Sequence, residues 1–242
     1  RAVTVPSDSA FAEKIHVQGG GIIREIVFGM NDGIVSIFAL LAGIAGAGVS
    51  AQQILVTLLA ATIAGALSMA AGQYLSAKSA RKYVESEIHK ERLEIKLVPD
   101  IEKDEIRRIY QKKGFKGDIL EHIVTQITSD PELWVKEMVA DELGVAEIEQ
   151  ENELKGVVVI FIAFMAGSMF PTLPYMILQF LGGDVLFWVA TFVTFFGLFL
   201  VGALKKVVTG QNWIKSGFEM LIAGTLAFLA SYGIGLLVGV SV

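Results

Sequence analysis

The sequence predicts an all-α, polytopic membrane protein with five transmembrane helices and a cytoplasmic helical insert between helices two and three. Three observations support this fold class. Of the 242 residues, 53% are hydrophobic and 25 are glycine, a composition typical of closely packed membrane helices. Five apolar runs are each long enough to cross a hydrocarbon core of about 30 Å. Between the second and third runs, residues 78–155 carry 19 of the 25 acidic residues.

These runs divide the chain into three predicted segments. Residues 1–77 hold a polar lead, which lacks the apolar core of a cleavable signal peptide, and the first two spans, at 22–49 and 54–77. Residues 78–155 form the insert, which is predicted to be a metal-binding domain. Residues 156–242 hold the remaining spans, predicted at 156–181, 185–208 and 213–240.

All the basic residues fall on one side of this five-span arrangement. Lys and Arg occur in the lead, in the insert and around the junction of spans four and five, but not in links 50–53 and 182–184. The positive-inside rule therefore predicts that the N-terminus and the insert are cytoplasmic and that the C-terminus is outside. Because no long N-terminal extension precedes the first span, the sequence favours a prokaryotic cell membrane over a vacuolar membrane.

Prolines and glycines predict where helices end. Residues 75–97 contain no helix breaker, so the second span is predicted to continue beyond the membrane as one long helix. Pro99 breaks it, and Asp100 is predicted to be the N-cap of the next helix. Further boundaries in the insert are predicted at Lys113-Gly114, Gly117-Asp118 and Asp130-Pro131, which gives a bundle of three or four helices. In the third span, Pro171 and Pro174 predict a kink or break.

A carboxylate interrupts the first span. Asp32 follows Asn31, and Gly29 and Gly33 on either side allow a bend or a close approach of another backbone. A charge at the centre of a span costs about 2.5–3.5 kcal/mol on insertion scales. Asp32 is either hydrated at the membrane edge or lines a polar route for a cation or proton, which is our working hypothesis. Met69 is then either a soft contact across from Asp32 or an ordinary core or lipid-facing methionine.

The insert offers the elements of a metal site. Without cysteine and with only three histidines, such a site must depend on carboxylates; His89 and His122 are predicted to be surface residues. Acids sharing helix faces repel one another unless a cation neutralises them, and a thioether favours a transition metal such as iron(II). Alternatively, these faces are solvated and pair with neighbouring Lys and Arg. The sets are Glu87, Glu91 and Glu94, then Glu102 and Glu105, then Met138 and Glu142.

Three stretches, in this order and over nearly the whole chain, resemble the vacuolar iron transporter family. They are residues 24–33 (REIVFGMNDG), 65–79 (GALSMAAGQYLSAKS) and 171–175 (PTLPY). The resemblance implies a homodimer of five-span subunits that exports iron(II) from the cytosol in exchange for protons. In that family, the pathway runs between the subunits.

The resemblance also implies roles for individual residues. Asp32 and Met69 match the positions that line the family's pathway, and we assign Glu25 and Asn31 of the same motif to it. The insert is expected to bind metal through one methionine and several glutamates. The matching residues here are Glu91, Glu94, Glu102, Glu105, Met138 and Glu142.

Two positions depart from the plant members of that family. Val139 stands in place of a second methionine of the insert, and Ala61 stands in place of an acid in the second span. The first departure leaves the metal preference open. The second leaves part of the pathway chemistry open.

From these observations we predict that the protein is a proton-coupled exporter of iron(II), not an enzyme, with no organic cofactor. Manganese, zinc and cobalt are further candidate ions for the insert, and manganese is an alternative cargo. A membrane-tethered, ferritin-like di-iron oxidase would need paired Glu-x-x-His motifs, which are absent from the sequence. A metal sensor whose membrane part is only an anchor is a third possibility. The expected partners are divalent metal ions, protons, membrane lipid and a second copy, but no nucleic acid.

Overall fold

The computed structural model of the protein describes residues 20–143, 153–206 and 212–239. Within these ranges the chain forms eight helices and no strand, which confirms the predicted all-α fold class. The helices are α1 (Gly20–Gly46), α2 (Ala51–Leu97), α3 (Pro99–Lys112), α4 (Gly117–Thr128), α5 (Pro131–Leu143), α6 (Glu153–Ile177), α7 (Gly183–Leu204) and α8 (Trp213–Gly239).

Five of these helices are long and apolar enough to cross a membrane, as predicted: α1, α2, α6, α7 and α8. The second is a single helix of 47 residues that ends at Leu97, so the predicted long helix is confirmed. Helix α1 ends at Gly46 rather than at Val49, and α6 ends at Ile177 rather than at Leu181. The predicted ends at Val208 and Val240 lie outside the described residues.

Two expectations about helix breakers are corrected by the structure. Pro171 and Pro174 do not break α6, which continues through both to Ile177, because membrane helices tolerate proline where neighbouring groups compensate for the lost bonds. Asp100 is not an N-cap. The N-cap is Val98, which makes no side-chain cap hydrogen bond, and Pro99 is the first helical residue, so Asp100 falls in the first turn.

Helix α5 begins at the predicted boundary, and Asp130 caps it. Asp130 Oδ1 accepts hydrogen bonds from the backbone N–H groups of Glu132, at 3.0 Å, and Leu133, at 3.3 Å. Capping of this kind satisfies donors that a helix N-terminus otherwise leaves without partners.

We expect Asp130→Ala to destabilise the α5 region by about 1 kcal/mol, because two backbone donors lose their acceptor. The measurement is chemical unfolding of the full chain in detergent, followed by fluorescence of Trp134, which lies in the first turns of α5. Asp118→Ala is the matched control, since Asp118 lies in the first turn of α4 and α4 has no side-chain cap. Equal unfolding midpoints for the two variants would contradict the prediction.

The chain divides into two compact units. The membrane unit comprises Arg1–Tyr74 and Leu154–Val242, and the insert unit comprises Leu75–Glu153. In the membrane unit, the ring of Phe38 packs at 5.2 Å from Phe195 and 5.0 Å from Phe228 between ring centroids. The core of the insert unit consists of Ile106, Ile109, Leu120, Val124, Ile127, Trp134 and Met138.

Candidate functional site

Asp32 lies half-buried in the middle of α1. Its Oδ1 accepts a hydrogen bond of 3.0 Å from the hydroxyl of Ser36, one turn further along the helix. Sequence reasoning missed Ser36, although its spacing of four residues from Asp32 is visible in the sequence. The adjacent Asn31 has a buried side-chain oxygen that accepts no hydrogen bond from any described residue.

Glu25 is the most buried acid of the membrane unit's described part, with only 7% of its surface exposed. The side-chain amide of Gln73, on α2, donates a hydrogen bond of 2.6 Å to Glu25 Oε1. Gly156, on α6, faces the same carboxylate: a Cβ added there would lie 2.6 Å from Oε1 and 2.9 Å from Oε2. Three helices therefore meet at this acid. Sequence reasoning assigned Glu25 to the pathway but did not identify either neighbour.

Glycines hold the part of α1 around Asp32 against α6. A Cβ at Gly29 would lie 2.9 Å from both the Cβ of Ala163 and the carbonyl oxygen of Ile160. At Gly33 it would collide with the backbone of α6, and at Gly167 of α6 it would collide with the backbone of α1. The glycines beside Asp32 thus allow the backbone of α6 to approach α1 closely. This is one of the two roles that the sequence suggested for them, the other being a bend in α1.

Two sets of contacts fix the register between α1 and α2. The first is the hydrogen bond between Glu25 and Gln73. The second is Phe164 of α6, whose backbone contacts Gly33 while its ring fills the space over Gly65. On α1 the two contacts are eight residues apart, at Glu25 and Gly33. On α2 they are also eight residues apart but in the opposite order, at Gln73 and Gly65. The two helices are therefore antiparallel and in matching register over this stretch.

These contacts bring Met69 into the neighbourhood of the two acids. Met69 lies midway along residues 65–73 of α2, which run beside residues 25–33 of α1. Its side chain is half-buried and packs against the core of the membrane unit. That it lies directly across from Asp32 stays a prediction.

The predicted ligands of the insert differ in burial. Glu91 is 2% exposed, Glu102 is 6% exposed and Met138 is fully buried. Glu94 and Glu105 are half-buried. Acidic side chains are almost never this buried unless they are paired, so a simple solvated face does not describe Glu91 and Glu102.

The structure does not gather these acids into a formed metal centre. Among the described side chains, no three His, Asp or Glu residues lie close enough together to bind one ion. Glu142 belongs to the last turn of α5, but its side chain lies outside the described part. His89 and His122 are exposed, as expected of surface residues, and His16 lies outside the described ranges.

The arginines of the insert pair with acids other than the predicted ligands. Arg92 forms an ion pair of 2.7 Å with Glu132. Arg107 contacts Asp104 and forms two bonds with Glu121, at 2.7 and 3.0 Å. These bonds lower the pKa of Glu121 and raise that of Arg107. The alternative in which the acidic faces pair with neighbouring bases therefore holds for Glu87, which pairs with Lys90 at 3.6 Å, but not for these two arginines.

A second polar cluster ties α3 to α5. The hydroxyl of Tyr110 donates a hydrogen bond of 2.9 Å to Glu137, and burial together with this bond raises the pKa of Tyr110 to about 12. Lys113 lies over the ring of Tyr110, at 4.7 Å from its centroid, and pairs with Asp141 at 3.3 Å. These contacts fix the helix that carries Met138.

Comparisons with known proteins show what the chain is similar to. A family model described as the VIT family matches residues 23–236. The chain is similar to "Vacuolar iron transporter 1" of Arabidopsis thaliana, at 33% identity over 217 residues, which cover 90% of this chain and 86% of the relative. It is also similar to "Vacuolar iron transporter" of Toxoplasma gondii, at 34% identity over 220 residues, which cover 88% of this chain and 73% of the relative.

Proposed function

Because the chain belongs to the VIT family, we propose that it exports iron(II) from the cytosol across a membrane in exchange for protons. The family and the names of its relatives indicate a membrane transporter of metal ions and not an enzyme. Iron(II) as the preferred cargo, the direction of transport and the coupling to protons are parts of the proposal.

One observation carries the proposal for the membrane unit. Glu25 and Asp32 lie seven residues apart, on nearly the same face of α1, and Met69 lies on the stretch of α2 that runs beside them. Two hard oxygen ligands from α1 and one soft sulfur ligand from α2 suit a borderline transition metal ion. A carboxylate in a medium of low dielectric constant favours either a bound proton or a bound cation, and this preference supplies the exchange.

We propose that the pathway is completed by a second copy of the chain. Phe28, Asp32 and Ser36 recur every four residues on a side of α1 that the membrane unit leaves at least partly exposed, and Phe28 is 57% exposed. Such a side, with a carboxylate at its centre, suits an interface between two subunits better than contact with lipid. By the positive-inside rule, the insert lies in the cytoplasm, where its acids gather metal ions for the membrane unit.

The proposed metal centre of the insert uses Glu91, Glu94, Glu102, Glu105, Met138 and Glu142. Burial of Glu91, Glu102 and Met138 supports this set, because acids are almost never this buried without a partner and a thioether favours a transition metal ion. The proposal includes movement of Glu94, Glu105 and Glu142 towards the ion when it binds.

Transport in proteoliposomes with a pH gradient tests the proposed function. We expect uptake of iron(II) that depends on the gradient, releases protons to the opposite side and is reduced by excess manganese(II) more than by zinc(II). Collapse of the gradient with a protonophore should stop accumulation. Metal uptake that ignores the gradient would contradict proton coupling, and a preference for manganese(II) would replace iron(II) as cargo.

A further inference from the structure

We propose that Gln73 and Gly156 are positioning residues that hold the Glu25 carboxylate in the orientation in which it meets an incoming metal ion. The inference rests on the proposed function, since it gives these two residues a part in capturing the transported ion. Neither residue is itself a ligand in this proposal.

The hydrogen bond from Gln73 holds the carboxylate from one side. The bond joins the amide nitrogen to Oε1 over 2.6 Å. The bond joins residues 48 positions apart in sequence and connects α1 to α2. The bond to α2 therefore sets the position and orientation of the Glu25 carboxylate, which its flexible side chain alone would leave variable.

Gly156 makes room for the carboxylate on the other side. A Cβ at this position would lie 2.6, 2.9 and 3.0 Å from Oε1, Oε2 and Cδ of Glu25, so all three contacts are with the carboxyl group itself. Elsewhere in the membrane unit, glycines such as Gly29 meet the backbone of another helix. At Gly156 the missing side chain instead provides the space that the acid occupies.

The donor to Glu25 in this bond is a neutral amide. A lysine or arginine at position 73 would add a positive charge beside the acid, which would repel an incoming metal ion. Asp32 also accepts a hydrogen bond from a neutral donor, the hydroxyl of Ser36.

The test compares the transport kinetics of Gln73→Met and Gly156→Ala with those of the wild type in the same vesicles. Methionine keeps the length of glutamine but removes the donor, and alanine displaces the carboxylate. For both variants we expect the KM for iron(II) to rise about tenfold while Vmax stays within about twofold, because capture rather than crossing is impaired. Gln73→Lys should give a larger loss, since the added charge neutralises Glu25.

Gly72→Ala is the matched control, because a Cβ at Gly72 has nothing within 4 Å although the residue adjoins Gln73. The variant Glu25→Ala supplies a second test. In the Glu25→Ala variant there is no carboxylate for Gly156→Ala to displace, so adding Gly156→Ala should leave the KM for iron(II) unchanged. A further rise would show that Gly156 acts through helix packing and would overturn the inference.

The outcomes separate this inference from the proposed function. If wild-type vesicles move no metal, the proposed function fails and the inference fails with it. If the wild type transports but Gln73→Met and Gly72→Ala have the same KM as the wild type, the inference alone is wrong. Gel filtration shows whether Gly156→Ala folds, and Gln73→Met decides the question if it does not.

Discussion

Replacing Asp32 with asparagine is expected to reduce iron(II) transport by about 100-fold or more. The substitution keeps the shape of the side chain and its hydrogen bond with Ser36, but it removes the charge that compensates a cation in the membrane interior. Leaving that cation without a compensating charge costs several kcal/mol, and each 1.4 kcal/mol corresponds to about a tenfold change in rate. The measurement is initial iron(II) uptake into proteoliposomes with matched protein content.

Asp184→Asn is the matched control for this experiment. Asp184 is an exposed acid in the first turn of α7, so the same chemical change there should leave uptake near that of the wild type. Metal binding to the insert should survive in Asp32→Asn, since Asp32 belongs to the membrane unit and the proposed ligands belong to the insert unit. Undiminished transport by Asp32→Asn would remove this residue from the proposed pathway.

The second large effect is expected in the insert. Joint replacement of Glu102 and Glu105 by glutamine should weaken manganese(II) or iron(II) binding by at least about tenfold, because two of the proposed carboxylate ligands on α3 lose their charge. The measurement is calorimetric titration of the full chain in detergent. Glutamine keeps the size of glutamate, so the packing around the buried Glu102 is largely preserved.

A matched control replaces Glu121 and Glu132 by glutamine. Both are exposed acids of the same unit and form ion pairs with Arg107 and Arg92, so the control removes the same formal charge without touching the proposed ligands. Binding that weakens equally in both double variants would mean that general electrostatic attraction, rather than coordination by these glutamates, holds the ion.

Local signals in the sequence account for most of the fold. Apolar runs predicted the five spans, and the short-range chemistry of Asp130 predicted a helix start that the structure contains. The errors are also local. Pro99 occupies the first helical position and moves the start of α3 ahead of Asp100. Pro171 and Pro174 remain inside α6, because the tolerance of a helix for proline depends on its neighbours rather than on its own sequence.

The candidate site was predictable only where its contacts are short in sequence. The bond from Ser36 to Asp32 follows from a spacing of four residues, whereas Gln73 and Gly156 reach Glu25 through the packing of α2 and α6 on α1. A periodic pattern contains no information on which helices become neighbours. For the same reason, the fact that acids of the insert share a face of one helix did not establish how closely acids of different helices approach one another.

The glycine contacts between α1 and α6 constrain how this protein can open and close. Since the backbones of the two helices touch at Gly33 and Gly167, neither helix can slide past the other without steric collision. We therefore expect α1 and α6 to travel as a single rigid body during the transport cycle, with hinge motion confined to the connections at their ends.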